Sequence, residues 1–116
     1  MDMDIAGTMK RARKDFELKK IDPVLLRVLY TNYNDVPDPQ NFIQKAMEEF
    51  PHLACGVATA YLQHMLSAGT IVRGRYLDNN HTFLLLEENR IADITADQYG
   101  GPRIYNGHLK HPWALS

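Results

Sequence analysis

Residues 1–68 carry apolar side chains at helical spacing, and turn signals divide this part of the chain into four segments. Asp22 followed by Pro23, and Asp38 followed by Pro39, each combine an N-cap residue with proline at the first helical position. Each pair therefore marks the start of a helix. The predicted helices run from about Ile5 to Lys19, from Pro23 to Tyr33 or Asn34, from Pro39 to Phe50, and from Cys55 to Ala68, with Gly69 as the stop of the last one.

After Gly69 the pattern changes from helical to extended. Residues 70–77 are rich in β-branched side chains, residues 78–80 (DNN) have turn chemistry, and residues 81–95 (HTFLLLEENRIADIT) have the pattern of two strands joined by a polar turn. The tail, residues 99–116, is rich in Gly and Pro and is expected to be irregular or to form one short edge strand. Helices followed by hairpins predict an α+β fold, in which N-terminal helices pack on a small antiparallel β-sheet.

Length and charge narrow the class of protein. The 116 residues, 45% of them hydrophobic, fit a single domain over residues 1–116, with a helical part at 1–50 and a helix and sheet at 51–116. No apolar run has the length of a membrane span, and the N-terminus lacks a secretory hydrophobic region, so we expect a cytoplasmic protein or one exported without a cleaved signal.

The charges of the 13 basic and 14 acidic residues nearly cancel, so the net charge gives no support for nucleic-acid binding. One dense basic cluster lies in the first predicted helix, where it alternates with acidic residues. We interpret it as a solvated helix face and as a possible docking surface for a protein partner. Its members are Lys10, Arg11, Arg13 and Lys14.

The one cysteine, Cys55, is predicted in the first turn of the fourth helix. A single cysteine excludes an intramolecular disulfide and any zinc site that needs two cysteine ligands from this chain. At a helix start, unpaired backbone N–H groups and the positive end of the helix dipole stabilise both a thiolate and a developing oxyanion. Cys55 is therefore a candidate nucleophile; the alternative is a small buried hydrophobic residue, the commoner role of a lone cysteine.

The last predicted hairpin carries a titratable side chain towards each end, His81 and Asp93. A thiolate nucleophile uses an imidazole to take and return a proton, and a third group must hold the imidazole in one tautomer. A three- or five-residue loop centred on Glu87 would place His81 and Asp93 opposite each other on one sheet face. The alternative is a two-residue turn at Glu88–Asn89, in which His81 merely ends a strand and Asp93 caps the turn at Thr95.

Other candidate residues give weaker signals. His64 lies within the fourth predicted helix, and His108 and His111 lie in the tail, without the spacing of a metal-binding motif. No glycine-rich segment has the pattern of a phosphate loop. Trp113 and Tyr105 are interpreted as packing residues that could also line a groove. We therefore expect no metal and no cofactor.

A cysteine at a helix start, a histidine opening a strand and an aspartate on the next strand occur here in the order that resembles the papain-like and transglutaminase-like superfamily. The matching segments are LACGVAT around Cys55, NHTFL around His81 and IADITADQY around Asp93. The last segment is similar to the D-x-T-x-x-Q-[FY] segment of small bacterial and phage proteins of this type. The resemblance covers roughly the second half of the chain and leaves the first three helices unmatched.

The resemblance implies a papain-like or transglutaminase-like core with a Cys-His-Asp triad. In this chain Cys55 would be the nucleophile, His81 the general base and acid, and Asp93 the carboxylate that orients the histidine. The residues implied in substrate binding or in support of the triad are Gly56, Thr95 and Gln98.

Two positions depart from the family pattern. Thr82 follows the histidine where many members have an aromatic residue, and the aromatic residue here comes one position later, at Phe83. No glutamine stands shortly before Cys55, where papain-type enzymes carry an oxyanion donor; Gln44 is too far away along the chain. The pattern therefore supports the triad better than the oxyanion hole.

Two classes of function are consistent with these residues. The first is a thiol-dependent amide hydrolase or acyltransferase, such as a glutamine deamidase, a peptidase or an amidase, acting on a protein or peptide amide through an acyl-enzyme. Water as acceptor gives hydrolysis and an amine gives transamidation. The small size favours a glutamine or short-peptide amide. The alternative is a catalytically silent binding module, such as a bacterial effector, that retains the same fold.

Overall fold

Four helices come first along the chain and five strands follow them, as described for residues 4–115 in this computed structural model. The prediction of an α+β fold is confirmed. The helices are α1 (Ile5–Glu17), α2 (Pro23–Tyr33), α3 (Pro39–Glu49) and α4 (Cys55–Leu66). The strands are β1 (Thr70–Tyr76), β2 (Asn79–Leu85), β3 (Arg90–Asp93), β4 (Tyr105–His108) and β5 (Trp113–Ala114).

Side-chain caps fix the starts of the second and third helices. The Asp22 carboxylate accepts a hydrogen bond from the Val24 N–H, and the Asp38 carboxylate accepts one from the Asn41 N–H. Both caps satisfy backbone donors that a helix start leaves unpaired, as predicted. The end of α4 differs from the prediction, because Ser67 takes the left-handed conformation (φ 51°, ψ 38°) and stops the helix before Gly69.

The five strands form one antiparallel sheet in the order β4-β3-β2-β1-β5. The tail therefore contributes both edge strands, where the sequence predicts at most one: β4 pairs with β3, and β5 crosses to pair with β1. Each of these strands is short, four and two residues long, so neither leaves the periodic signal that predicts a strand.

Two hydrophobic cores lie on the two faces of the sheet. The helices pack on the face that carries Leu84 and Ala92, and this core includes Met9, Phe16, Leu26, Val57 and Leu62. The smaller core on the other face consists of Tyr76, Phe83, Ile91, Ala96 and Trp113. Because successive residues of a strand face opposite sides, His81 and Asp93 share the second face with Phe83 and Ile91. No helix within residues 4–115 is long and apolar enough to cross a membrane.

Arg13 ties α1 to the segment that follows β3. Its guanidinium donates to the Ile94 carbonyl oxygen at 2.8 Å and to both carboxylate oxygens of Asp97 at 2.7 and 2.8 Å. The interpretation of the basic cluster as a solvated face is therefore wrong for Arg13, which is buried, whereas its three neighbours in the cluster are exposed. A partner 84 residues away in sequence pulls this side chain inward.

We expect Arg13→Ala to lower the free energy of unfolding by about 2–4 kcal/mol, since it leaves the Asp97 carboxylate and the Ile94 carbonyl without their partner. Lys10→Ala, on the exposed face of the same helix, is the matched control and should change it by less than about 0.5 kcal/mol. Urea unfolding monitored by circular dichroism measures both values. Equal stability of the two variants would show that the Arg13 contacts contribute little.

Candidate active site

Cys55 is the first residue of α4, and the helix start around it lacks a side-chain cap. The first intrahelical hydrogen bond runs from the Ala58 N–H to the Ala54 carbonyl oxygen. The N–H groups of Cys55 and Gly56 therefore have no partner within the helix, and the helix dipole adds positive potential at the same place. Cys55 is half-buried and lines a pocket.

His81 and Asp93 form a buried pair. The His81 Nε2 atom lies 2.6 Å from the Asp93 Oδ2 atom, and each residue is 2% exposed. The Thr95 N–H donates to the other carboxylate oxygen at 2.9 Å, and the Trp113 Nε1–H donates to Oδ2 at 2.8 Å. A buried carboxylate needs such donors to remain ionised. Together they fix the imidazole with Nε2 towards Asp93 and Nδ1 away from it.

The register of the β2–β3 hairpin differs from the prediction by two residues. Leu84 pairs with Ala92, so the loop is centred on Glu88 rather than Glu87, and His81 and Asp93 are diagonal rather than direct neighbours. An even shift keeps both side chains on one face, and diagonal positions remain within reach of a long side chain. The two-residue turn at Glu88–Asn89 is likewise wrong, because a short 3₁₀ helix at Glu87–Asn89 makes the loop longer.

The Cys55 thiol and the His81 imidazole influence each other directly. Burial raises the pKa of Cys55, whereas the interactions with His81 and Thr82 lower it. The second effect is the larger, so the pKa of Cys55 lies below its usual range. Burial lowers the pKa of His81, but hydrogen bonds with Asp93 and Cys55 outweigh burial and raise it to about 9. Both shifts favour the thiolate and the imidazolium over the neutral thiol and imidazole.

Gln98 lies on the same side of the histidine as the thiol. Its side-chain Nε2 atom is 3.5 Å from His81 Nδ1, and it lines the same pocket as Cys55. The short 3₁₀ helix Ala96–Tyr99 carries it, and the Arg13–Asp97 contact anchors that helix one residue before Gln98. Gln98 therefore lies beside the His81 imidazole and in the pocket that Cys55 lines.

A cavity of about 370 Å³ opens above Cys55. Tyr30 stacks on Phe42, with ring centroids 4.9 Å apart, and Tyr33 packs edge-on against Tyr30 to complete an aromatic wall from α2 and α3. Tyr99 stands on the opposite side, edge-on to the His81 ring. The pocket thus combines four aromatic rings with the polar side chains of Asn34, Arg73, Thr82 and Gln98.

Gly56 allows this wall to approach the helix start. A Cβ atom at Gly56 would lie 2.8 Å from the Tyr30 ring carbon Cε1, closer than carbon atoms pack. Gly56 therefore lines the pocket and leaves space for Tyr30, in keeping with its proposed place near the substrate. Thr95 has a different location: it is buried behind Asp93 and away from the pocket, where its N–H holds the carboxylate.

Trp113 is the residue that the sequence reasoning missed. Its indole N–H donates to Asp93 across 20 residues of chain, and its ring stacks on Tyr105 with centroids 4.1 Å apart. A buried aspartate always needs donors, but no local pattern indicates which distant residue supplies one. The position of β5 next to β1 is what brings Trp113 to this site.

The other histidines stay outside the site. His52, His64, His108 and His111 are exposed, and residues 4–115 contain no group of three or more His, Cys, Asp or Glu side chains arranged to hold a metal ion. Comparisons with protein-family models, curated proteins and solved structures gave no match to this chain.

We expect iodoacetamide to alkylate Cys55 with an apparent pKa below the usual thiol value of about 8.5, since the imidazolium stabilises the thiolate. His81→Ala should move this pKa back towards the usual value. His64→Ala, which changes an exposed histidine on α4, is the control and should leave it unchanged. Alkylation rates followed by mass spectrometry across pH measure all three; identical profiles for wild type and His81→Ala would exclude the pair.

Proposed function

We propose that this protein is a thiol-dependent amide hydrolase with a Cys55-His81-Asp93 triad. One observation carries the proposal: the buried Asp93 carboxylate holds Nε2 of His81 at 2.6 Å, and this imidazole and the Cys55 thiol at the start of α4 each shift the pKa of the other towards the charged form. A buried histidine with a purely structural role needs hydrogen-bond partners but no cysteine at a helix start, and both pKa shifts favour a reactive thiolate. The same arrangement supports our proposal that residues from Cys55 onward form a papain-like or transglutaminase-like core.

The reaction begins with attack of the Cys55 thiolate on the amide carbonyl carbon, which forms a C–S bond. The His81 imidazolium then gives its proton to the amide nitrogen, the C–N bond breaks, and ammonia or an amine leaves. In the second half, neutral His81 takes a proton from water as the water attacks the acyl-enzyme. Collapse of this second intermediate breaks the C–S bond, releases a carboxylic acid and restores the thiolate–imidazolium pair.

The oxyanion that forms in each half requires hydrogen-bond donors. The N–H of Cys55 is one, since the helix does not use it, and the Gln98 amide is the second donor we propose. When His81 is protonated, its Nδ1–H cannot accept from the Gln98 amide, so that amide is available to donate to a substrate oxygen. Gln98 would then replace, from a different place in the chain, the glutamine missing before Cys55.

The size of the pocket supports a small substrate. A volume of about 370 Å³ holds the side chain of a glutamine residue or a short peptide amide, but little of an extended polypeptide. The aromatic wall favours an apolar stem leading to the amide. Water and amines both fit as acceptors, so glutamine deamidation, amide hydrolysis and acyl transfer share this chemistry.

Incubation with glutamine amides and short peptides, followed by assay of released ammonia or amine, tests the proposal. We expect turnover that Cys55→Ala abolishes, an acyl-enzyme adduct on Cys55 in mass spectra, and a loss of about 10²-fold in kcat for Gln98→Ala. Gln63→Ala, on the surface of α4, is the control for Gln98. If Cys55 forms no adduct with any amide and its thiol titrates normally, the domain is a binding module.

The pH profile of kcat/KM adds a second readout. The rate should rise as the Cys55 thiol ionises, below its usual range, and fall near pH 9 as His81 loses the proton needed by the leaving group. The signs follow from the two shifts: a lowered thiol pKa extends the active range to lower pH, and a raised imidazole pKa extends it to higher pH. Asp93→Asn should move the alkaline limit to lower pH, and an unmoved limit would contradict the role of Asp93.

A further inference from the structure

Arg73 is the one cationic residue among the described residues that line the Cys55 pocket. No aspartate or glutamate lines this pocket, and no ion pair involves Arg73 within residues 4–115. The residue lies on β1, and its side chain is exposed at the rim. A guanidinium placed beside a nucleophile without a carboxylate partner is available to bind an anion from solution.

Tyr33 orients the Arg73 side chain. The Arg73 Nε–H donates to the Tyr33 hydroxyl oxygen at 2.8 Å, and the guanidinium carbon lies 5.3 Å from the centre of the Tyr33 ring. These contacts use the Nε side of the guanidinium. The two terminal NH₂ groups have no hydrogen-bond partner within the described residues, so the edge of the guanidinium that they form is free to bind a ligand. That edge presents two parallel donors, which is the geometry that a carboxylate accepts.

Strand pairing brings Arg73 close to the nucleophile. Arg73 pairs directly with Thr82 across the β1–β2 ladder, so their Cβ atoms lie about 5 Å apart on one face. Thr82 and Cys55 line the same pocket as Arg73. The guanidinium and the thiol therefore share one cavity of about 370 Å³, in which a short substrate can reach both groups.

We propose that Arg73 forms a carboxylate subsite, so that the preferred substrate of this site is a short amide that carries a terminal carboxylate a few bonds from the amide. This inference rests on the proposed function, because it assigns the substrate of the same thiolate. One guanidinium with one open edge matches the single negative charge of a carboxylate. A phosphate dianion would require further cations, and no other Lys or Arg lines the pocket.

Two chloroacetyl reagents that differ only in charge test the subsite. N-chloroacetylglycine carries a terminal carboxylate, and N-chloroacetylglycinamide is its neutral counterpart; both alkylate Cys55 at the same carbon. The quantity measured is the ratio of their second-order rate constants at low ionic strength, normalised to the same ratio for N-acetylcysteine amide. Mass spectrometry of wild type, Arg73→Gln, Arg73→Lys and Arg75→Gln gives the four ratios. Arg75 is the matched control, since it is exposed on the same strand but does not line the pocket.

We expect Arg73→Gln to lower the normalised ratio by about fivefold, Arg73→Lys to lower it less, and Arg75→Gln to leave it unchanged. High salt should reduce the wild-type preference, because the guanidinium is exposed. The rate with the neutral reagent shows in each variant that the thiolate and the fold are intact.

The failure of this inference and the failure of the proposed function give different results. A normalised ratio that is equal in wild type and Arg73→Gln, with fast neutral alkylation in both, overturns the carboxylate subsite alone. Slow neutral alkylation in wild type, with an ordinary thiol pKa, overturns the proposed function and the subsite with it. A loss of preference that is as large in Arg75→Gln as in Arg73→Gln also overturns the subsite, because general surface charge would then be the cause.

Discussion

The hydrogen bond between the buried Asp93 carboxylate and His81 is the interaction on which the rest of this structure depends. Taking a carboxylate out of water is costly unless donors replace the water. Three groups from separate parts of the chain do so here: His81 from β2, the Thr95 N–H just after β3, and Trp113 from β5. The pairing of β5 with β1 is what brings Trp113 to this carboxylate.

This one constraint also sets the chemistry. With Nε2 held by Asp93, the other ring nitrogen is left for the thiol at the start of α4, and the pKa of each partner moves towards the charged form. His81, Asp93 and Trp113 lie on the second face of the sheet, opposite the helical core. The smaller hydrophobic core on that face therefore packs around the pair. The ion pair between Arg13 and Asp97 connects α1 to the segment that carries Gln98.

Features that depend on neighbouring residues could be predicted from the sequence, whereas contacts between residues far apart in the sequence could not. Cap chemistry at Asp22 and Asp38 predicts helix starts because the capping atoms lie within three residues of their partners. The placement of His81 and Asp93 on one face follows from strand alternation and survives the error in register, since the shift is even. The Trp113 contact and the burial of Arg13 depend on partners 20 and 84 residues away, and no periodic pattern reports such a pairing.

The charge state of the His81 ring is the most direct test of this account, and heteronuclear NMR of its two imidazole nitrogens measures it. We predict that both nitrogens carry protons in the wild-type protein at neutral pH and that the ring loses one of them only near pH 9. In Cys55→Ala the loss should come at lower pH, because the thiolate is one of the groups that raise this pKa. A neutral wild-type ring at neutral pH, with a titration that Cys55→Ala leaves unchanged, would contradict the thiolate–imidazolium pair.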